Sequence, residues 1–150
     1  MITEISKLLA LKIAVSENER RQAIAILQQQ KLPTSDIDED KLLYLLKNGE
    51  AVIGTAGLEI FDDCALLRSV SVMEEEQDKG YGTVINNEIE KYAKESGIDC
   101  LYLLTTTAKD FFEKQGYCVI KRENSPVALQ QTAEFTSLCP STAVVMKKRI

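Results

Sequence analysis

The feature that most constrains this chain is the junction Gln77-Asp78-Lys79-Gly80-Tyr81-Gly82, set between a β-rich run ending at Val72 and a helical run opening near Tyr81. A strand, a loop with two glycines and a helix start must succeed one another here. Glycine enters backbone angles closed to other residues, and a helix start leaves N–H groups unpaired at the positive end of its dipole. Such a junction can hold a phosphate or pyrophosphate on main-chain amides. A glycine pair before a helix also serves as a plain turn, so the flanking residues must decide.

The 150 residues suit one domain with a single sizeable core, and 45% hydrophobic with 27% charged is a globular composition. Eighteen basic against 23 acidic residues leave a net charge of −5 with no run of lysine or arginine. That argues against nucleic-acid or anionic-membrane partners and for a small-molecule one. No stretch approaches the roughly 20 apolar residues of a membrane span. The start, with Glu4 and Lys7, lacks the basic region of a signal peptide, so a cytoplasmic location is expected. Whether the chain is a homodimer is left open.

Cys64, Cys100, Cys118 and Cys139 are far apart in sequence, with no C-x-x-C pair and no histidine, so no metal site is expected. Cys100 and Cys118 lie in apolar, strand-like runs and are expected to pack as small hydrophobes. Cys139, in Leu138-Cys139-Pro140-Ser141, could be exposed.

Pattern predicts a strand over Leu11 to Val15, then a helix over Glu17 to Lys31 with Ser16 as N-cap, Ala23, Ile24 and Leu27 on one face, and Pro33 as its stop. Asn48-Gly49 predicts a hairpin turn between strands over Leu42 to Leu46 and Ala51 to Ile60. Asp62-Asp63 predicts a second turn into an antiparallel central strand, 65–72. After the glycine loop, Val84, Ile85, Ile89, Tyr92 and Ala93 recur at helical spacing, Gly97 caps the helix, and Cys100 to Leu104 completes a β-loop-α-β unit. A short helix, Ala108 to Gln115, stops at Gly116, and strands come next over Tyr117 to Ile120 and Ala143 to Met146. The segment 121–142 is too long for a plain loop and is expected to be functional or to carry a short helix.

These residues resemble the GNAT superfamily of N-acetyltransferases. Gln77, Gly80 and Gly82 match its Gln/Arg-x-x-Gly-x-Gly/Ala coenzyme A loop. Val70-Ser71-Val72 precedes that loop as the family's strand does, and Phe111-Phe112-Glu113-Lys114-Gln115-Gly116-Tyr117 is similar to its aromatic helix end. The likeness runs from about residue 11 to 149. It implies an α/β (α+β) fold, with a mixed central sheet of about seven strands flanked by helices and splayed central strands. Leu32-Pro33-Thr34, Gly57-Leu58-Glu59, Leu66-Leu67-Arg68-Ser69, Leu103 to Ala108, Glu134-Phe135 and Leu138-Cys139-Pro140 look, together, like the branch associated with arsenic-resistance operons.

The resemblance implies transfer of acetyl from acetyl-CoA to the amine of a small, amino-acid-like acceptor, by direct attack on the thioester. It places Gln77, Asp78, Lys79, Gly80, Tyr81, Gly82 and Thr83 on the pyrophosphate, Val72 on the pantetheine, and Thr105 and Phe112 near the cofactor. The Val70 N–H becomes the donor to the oxygen that gains negative charge. Where the family often has a proton-donating tyrosine, Phe112 cannot donate, so the general acid is unassigned. Without histidine the base falls to a carboxylate, tyrosine, cysteine or water, and Glu59 is the candidate; it could equally be the partner of Arg68. Arg68 and Arg122 could fork a substrate carboxylate or make internal ion pairs. Thr106 could bond substrate, although a threonine run is also ordinary helix-start chemistry. The rival reading is a non-catalytic acyl-CoA binding or sensing module. A mononucleotide site is disfavoured, because the loop lacks a P-loop's Lys-Ser/Thr pair and a dinucleotide fold's G-x-G-x-x-G.

Overall fold

The computed structural model describes residues 9–138 and 141–150, which leaves Cys139 and the opening residues around Glu4 and Lys7 outside the described part. The strands are β1 (Leu9–Ile13), β2 (Leu42–Asn48), β3 (Ala51–Phe61), β4 (Cys64–Val72), β5 (Cys100–Thr105), β6 (Cys118–Ile120) and β7 (Val144–Arg149). The main helices are α1 (Glu17–Gln29), α2 (Tyr81–Glu95) and α3 (Lys109–Lys114). Strand order is β1-β2-β3-β4-β5-β7-β6, a mixed seven-stranded sheet. Contacts divide the described chain into two compact units that share β3, β4 and α2: residues to Leu58 with Ser69–Ile89, and Glu59–Arg68 with Glu90–Ile150.

In the first unit, Ser16 caps α1 through a full capping box with Glu19, as its sequence position demands. The helix ends sooner than Pro33 would require. Lys31 turns left-handed at φ 60°, and the Leu32 N–H reaches back to the Leu27 carbonyl. Ala23, Ile26 and Leu27 face Ala14, Leu43 and Leu45 in a closed apolar cluster. The first strand begins two residues earlier than the pattern suggested. The hairpin loop is Gly49-Glu50, one residue later than expected, because Asn48 pairs with Ala51 and Gly49 takes the positive φ of 63°.

In the second unit, β4 and β5 run parallel in register from Cys64↔Cys100 to Leu66↔Tyr102. β7 enters between β5 and β6, antiparallel to both. Cys64, Leu66, Tyr102, Leu129, Phe135 and Val145 form its core. Cys118 departs from expectation: β6 is the edge strand, so Cys118 is exposed. The segment 121–142 carries a 3₁₀ turn (Arg122–Asn124), a short helix (Val127–Gln130) and a π turn (Glu134–Leu138). Among the described residues, no helix is long and apolar enough to cross a membrane.

Candidate active site

The glycine junction of the first unit is built from the strand upward. Ser69 sits within β4 at φ 58°, a left-handed angle that costs a residue with a Cβ about 1–2 kcal/mol. Such a residue breaks the regular alternation of a strand. Thr55 on β3 holds the distortion, donating to the Ser69 carbonyl at 2.7 Å and lying 2.6 Å from the Ser71 hydroxyl. Gly54 beside it is also required: a Cβ there would overlap the Ser71 carbonyl oxygen and press on Ile85 of α2. Neither Thr55 nor Gly54 was singled out by sequence, because their role depends on a distortion in a different strand. Alternation faltering at Arg68-Ser69-Val70 was the available signal.

Beyond β4, Glu74–Glu76 form a 3₁₀ turn and Gln77 folds its side-chain amide back onto the Val72 carbonyl at 3.1 Å. Asp78 and Gly80 then both turn left-handed, at φ 65° and 85°, immediately before Tyr81 opens α2. Successive amides in such a turn, ahead of a helix start, form an anion-accepting concavity. Gln77, Asp78, Lys79, Gly80 and Thr83 are exposed, and Tyr81 and Gly82 half-buried. Lys79 is bound to Glu76 at 3.1 Å, so positive character here comes mainly from the backbone.

In the second unit, Arg68 is almost completely buried, its side chain 1% exposed, and its two terminal nitrogens reach Glu59 at 3.3 Å and Glu134 at 3.4 Å. Both arginines make the internal contacts that the sequence offered as alternatives. Glu59 and Arg68 adopt the internal ion-pair alternative, because a guanidinium removed from water needs carboxylates around it. Arg122 likewise turns inward, donating to the carbonyls of Phe135 at 3.2 Å and Ala143 at 3.4 Å with its guanidinium over the Phe135 ring. It ties the 121–142 segment to itself. Glu134 completes the triad and was missed as a charge partner, since 66 positions separate it from Arg68 in the numbering.

Thr105 accepts the Ala108 N–H at 2.9 Å, the helix-start role of its threonine run, while Thr106 is exposed. Phe112 is buried edge-on between Phe111 and Tyr117, with ring centroids 5.0 and 5.5 Å away. Tyr117, a further residue that pattern reading left as a strand position, is fully buried beside Glu90. Burial, then the Glu90 charge and a hydrogen bond with it, push its phenol far above the ordinary range. Lys148 closes that group, donating to Glu90 at 2.8 and 3.0 Å and to the Gln115 carbonyl at 2.8 Å.

A model of the acetyltransferase (GNAT) family matches residues 12–117. The chain belongs to the GNAT acetyltransferase family. An uncharacterized N-acetyltransferase of Chlorobaculum tepidum is 32% identical over 76 residues, covering 50% of this chain and 48% of that protein. The chain thus spans about half the length of the curated relative it matches. Among solved structures, N-acetylglutamate synthase of Neisseria gonorrhoeae, complexed with coenzyme A and N-acetyl-glutamate, is similar with a TM-score of 0.77 at 20% identity, covering 94% of this chain and 35% of that one. Tetrahymena GCN5 is similar with a TM-score of 0.75 at 22% identity, covering 95% and 96%. At these identities the likeness to GNAT structures is one of fold.

Proposed function

We propose that this GNAT protein is an N-acetyltransferase that moves acetyl from acetyl-CoA to the amine of a small, amino-acid-like acceptor. The observation that carries the reading is the pair of left-handed residues, Asp78 and Gly80, directly ahead of α2 and behind the distorted end of β4. The fit to a pyrophosphate is one of backbone: the loop is exposed, and amides from Lys79 to Thr83 supply donors at the helix start. Acetyl-CoA would bring the thioester. The chain's part is to hold the diphosphate on residues 77–83, run the pantetheine along Val72, and offer the Val70 N–H to the acetyl oxygen as it gains charge.

Glu59 pairs with Arg68 at 3.3 Å, and Phe112 has no proton to give. The amine loses its proton to Glu59 or to water, and rate comes from positioning and the oxyanion donor. The likeness to the branch found with arsenic-resistance operons supports a detoxifying role, with acceptors such as glutamate analogues. The buried apolar Phe112 also favours a second reading, an acyl-CoA sensor without turnover.

One experiment separates them. Thiol release from acetyl-CoA, tracked across a panel of amino acids and phosphinic or arsinic glutamate analogues, is expected to rise with at least one amine. Tight acetyl-CoA binding with no stimulated release supports the sensor. Gly82→Trp is expected to abolish acetyl-CoA binding by calorimetry, and unchanged affinity would reject the loop assignment.

A further inference from the structure

Cys64 and Cys100 are 36 positions apart in the numbering, yet the parallel ladder makes them direct neighbours, the first in-register pair of β4 and β5. In-register residues of parallel strands point to the same face. Neither cysteine is in a disulfide, both belong to the same apolar cluster, and both line one cavity of about 330 Å³ in the second unit. Asp62, Asp63, Asp99 and Arg149 share its wall. Cys64 is buried and Cys100 half-buried, and both line the cavity.

Strand spacing limits what such a pair can do. Neighbouring strands lie about 4.7–4.9 Å apart, inside the roughly 4.4–6.8 Å between Cα atoms that a disulfide tolerates, so the pair can be bridged either directly or through an ion. Two metal–thiolate bonds of about 2.3 Å each, the zinc value, span about 4.6 Å when nearly collinear. Among the described residues, no group of three or more cysteine, aspartate, glutamate or histidine side chains is gathered for a metal. That disfavours tetrahedral zinc-type coordination and leaves two-coordinate chemistry.

We propose that Cys64 and Cys100 form a two-thiolate site for a soft divalent cation of mercuric type, held nearly linearly across β4 and β5. Two S–H bonds are replaced by two metal–sulfur bonds. Two protons pass to solvent together with the ion's chloride or water ligands, and no electrons change hands. Charge selects the valence: a divalent ion leaves the bis-thiolate neutral, whereas a monovalent one leaves an anion beside three carboxylates.

The test uses the full chain carrying Cys118→Ser and Cys139→Ser, so that this pair supplies the only thiols, kept reduced with a phosphine. Mercuric chloride at one equivalent, chased with a hundredfold excess of glutathione, is monitored by native mass spectrometry. One ion per chain with loss of two protons, retained through the chase, is expected. Adding Cys100→Ser at the half-buried position should leave circular dichroism unchanged and release the ion at least tenfold more readily. Silver(I) is expected to leave at lower glutathione than mercury. Equal retention by the Cys100→Ser protein, a mixed glutathione adduct on one sulfur, silver outlasting mercury, or no uptake each overturns the proposal.

Discussion

Replacing Arg68 with methionine removes a buried guanidinium from between two carboxylates. The geometry sets the scale: contacts of 3.3 and 3.4 Å, with side chains of Arg68, Glu59 and Glu134 only 1%, 14% and 7% exposed. Unit charges about 4 Å apart attract by about 4 kcal/mol at an effective dielectric near 20. Desolvation and the repulsion between the two carboxylates offset much of that. Breaking a buried pair by deleting one member typically costs about 3–5 kcal/mol, which for a chain of this size lowers Tm by roughly 6–20 °C. Urea titration and calorimetry measure both quantities. Arg68→Lys should fall between, because one ammonium cannot fork two carboxylates. Combining Arg68→Met with Glu59→Gln and Glu134→Leu should restore most of the loss, since a well-packed apolar replacement carries no stranded charge. If Arg68→Met alone shifted stability by less than about 1 kcal/mol, the account of this triad as a mutually dependent unit would be wrong.

Gly54→Ala should destabilise the first unit by about 1–3 kcal/mol, because the new methyl meets the Ser71 carbonyl and Ile85; a denaturant midpoint equal to wild type refutes the close approach. In the reduced wild-type protein, iodoacetamide should label exposed Cys118 well before Cys64, whose thiol is pushed up by burial first and then by Asp63, Cys100 and Asp62; peptide mapping showing the reverse order contradicts it. Tyr117 keeps its proton when folded but loses it above about pH 10 when unfolded. Unfolded chain then binds fewer protons, so its contribution to stability is present below that pH and falls as pH rises above it. Tyr117→Phe should flatten this alkaline loss in urea titrations at pH 9 to 11, and an unchanged slope assigns the loss elsewhere.

Local chemistry was legible where short-range rules act alone. Ser16 announced an N-cap, Gly97 and Gly116 marked helix ends at φ 84° and 98°, and the glycine loop announced a turn into a helix. Errors arose where a neighbour in space overruled a neighbour in sequence. Pro33 looked like the stop for α1, but Lys31 had already left the helix. Cys118 read as a core thiol, and only strand order shows that β6 lies at the edge.

The sequence alone thus determined element types, the order in which they come, and the family to which the loop and aromatic helix end belong, because capping, turn chemistry and apolar period are encoded within a few residues. Tertiary structure alone decided the left-handed kink at Ser69 and its support by Thr55 and Gly54, the Arg68–Glu59–Glu134 triad, and the pairing of Cys64 with Cys100. Each depends on strand register or on a distant segment folding back. A change of one residue in register turns every side chain to the opposite face, and no local pattern records that choice.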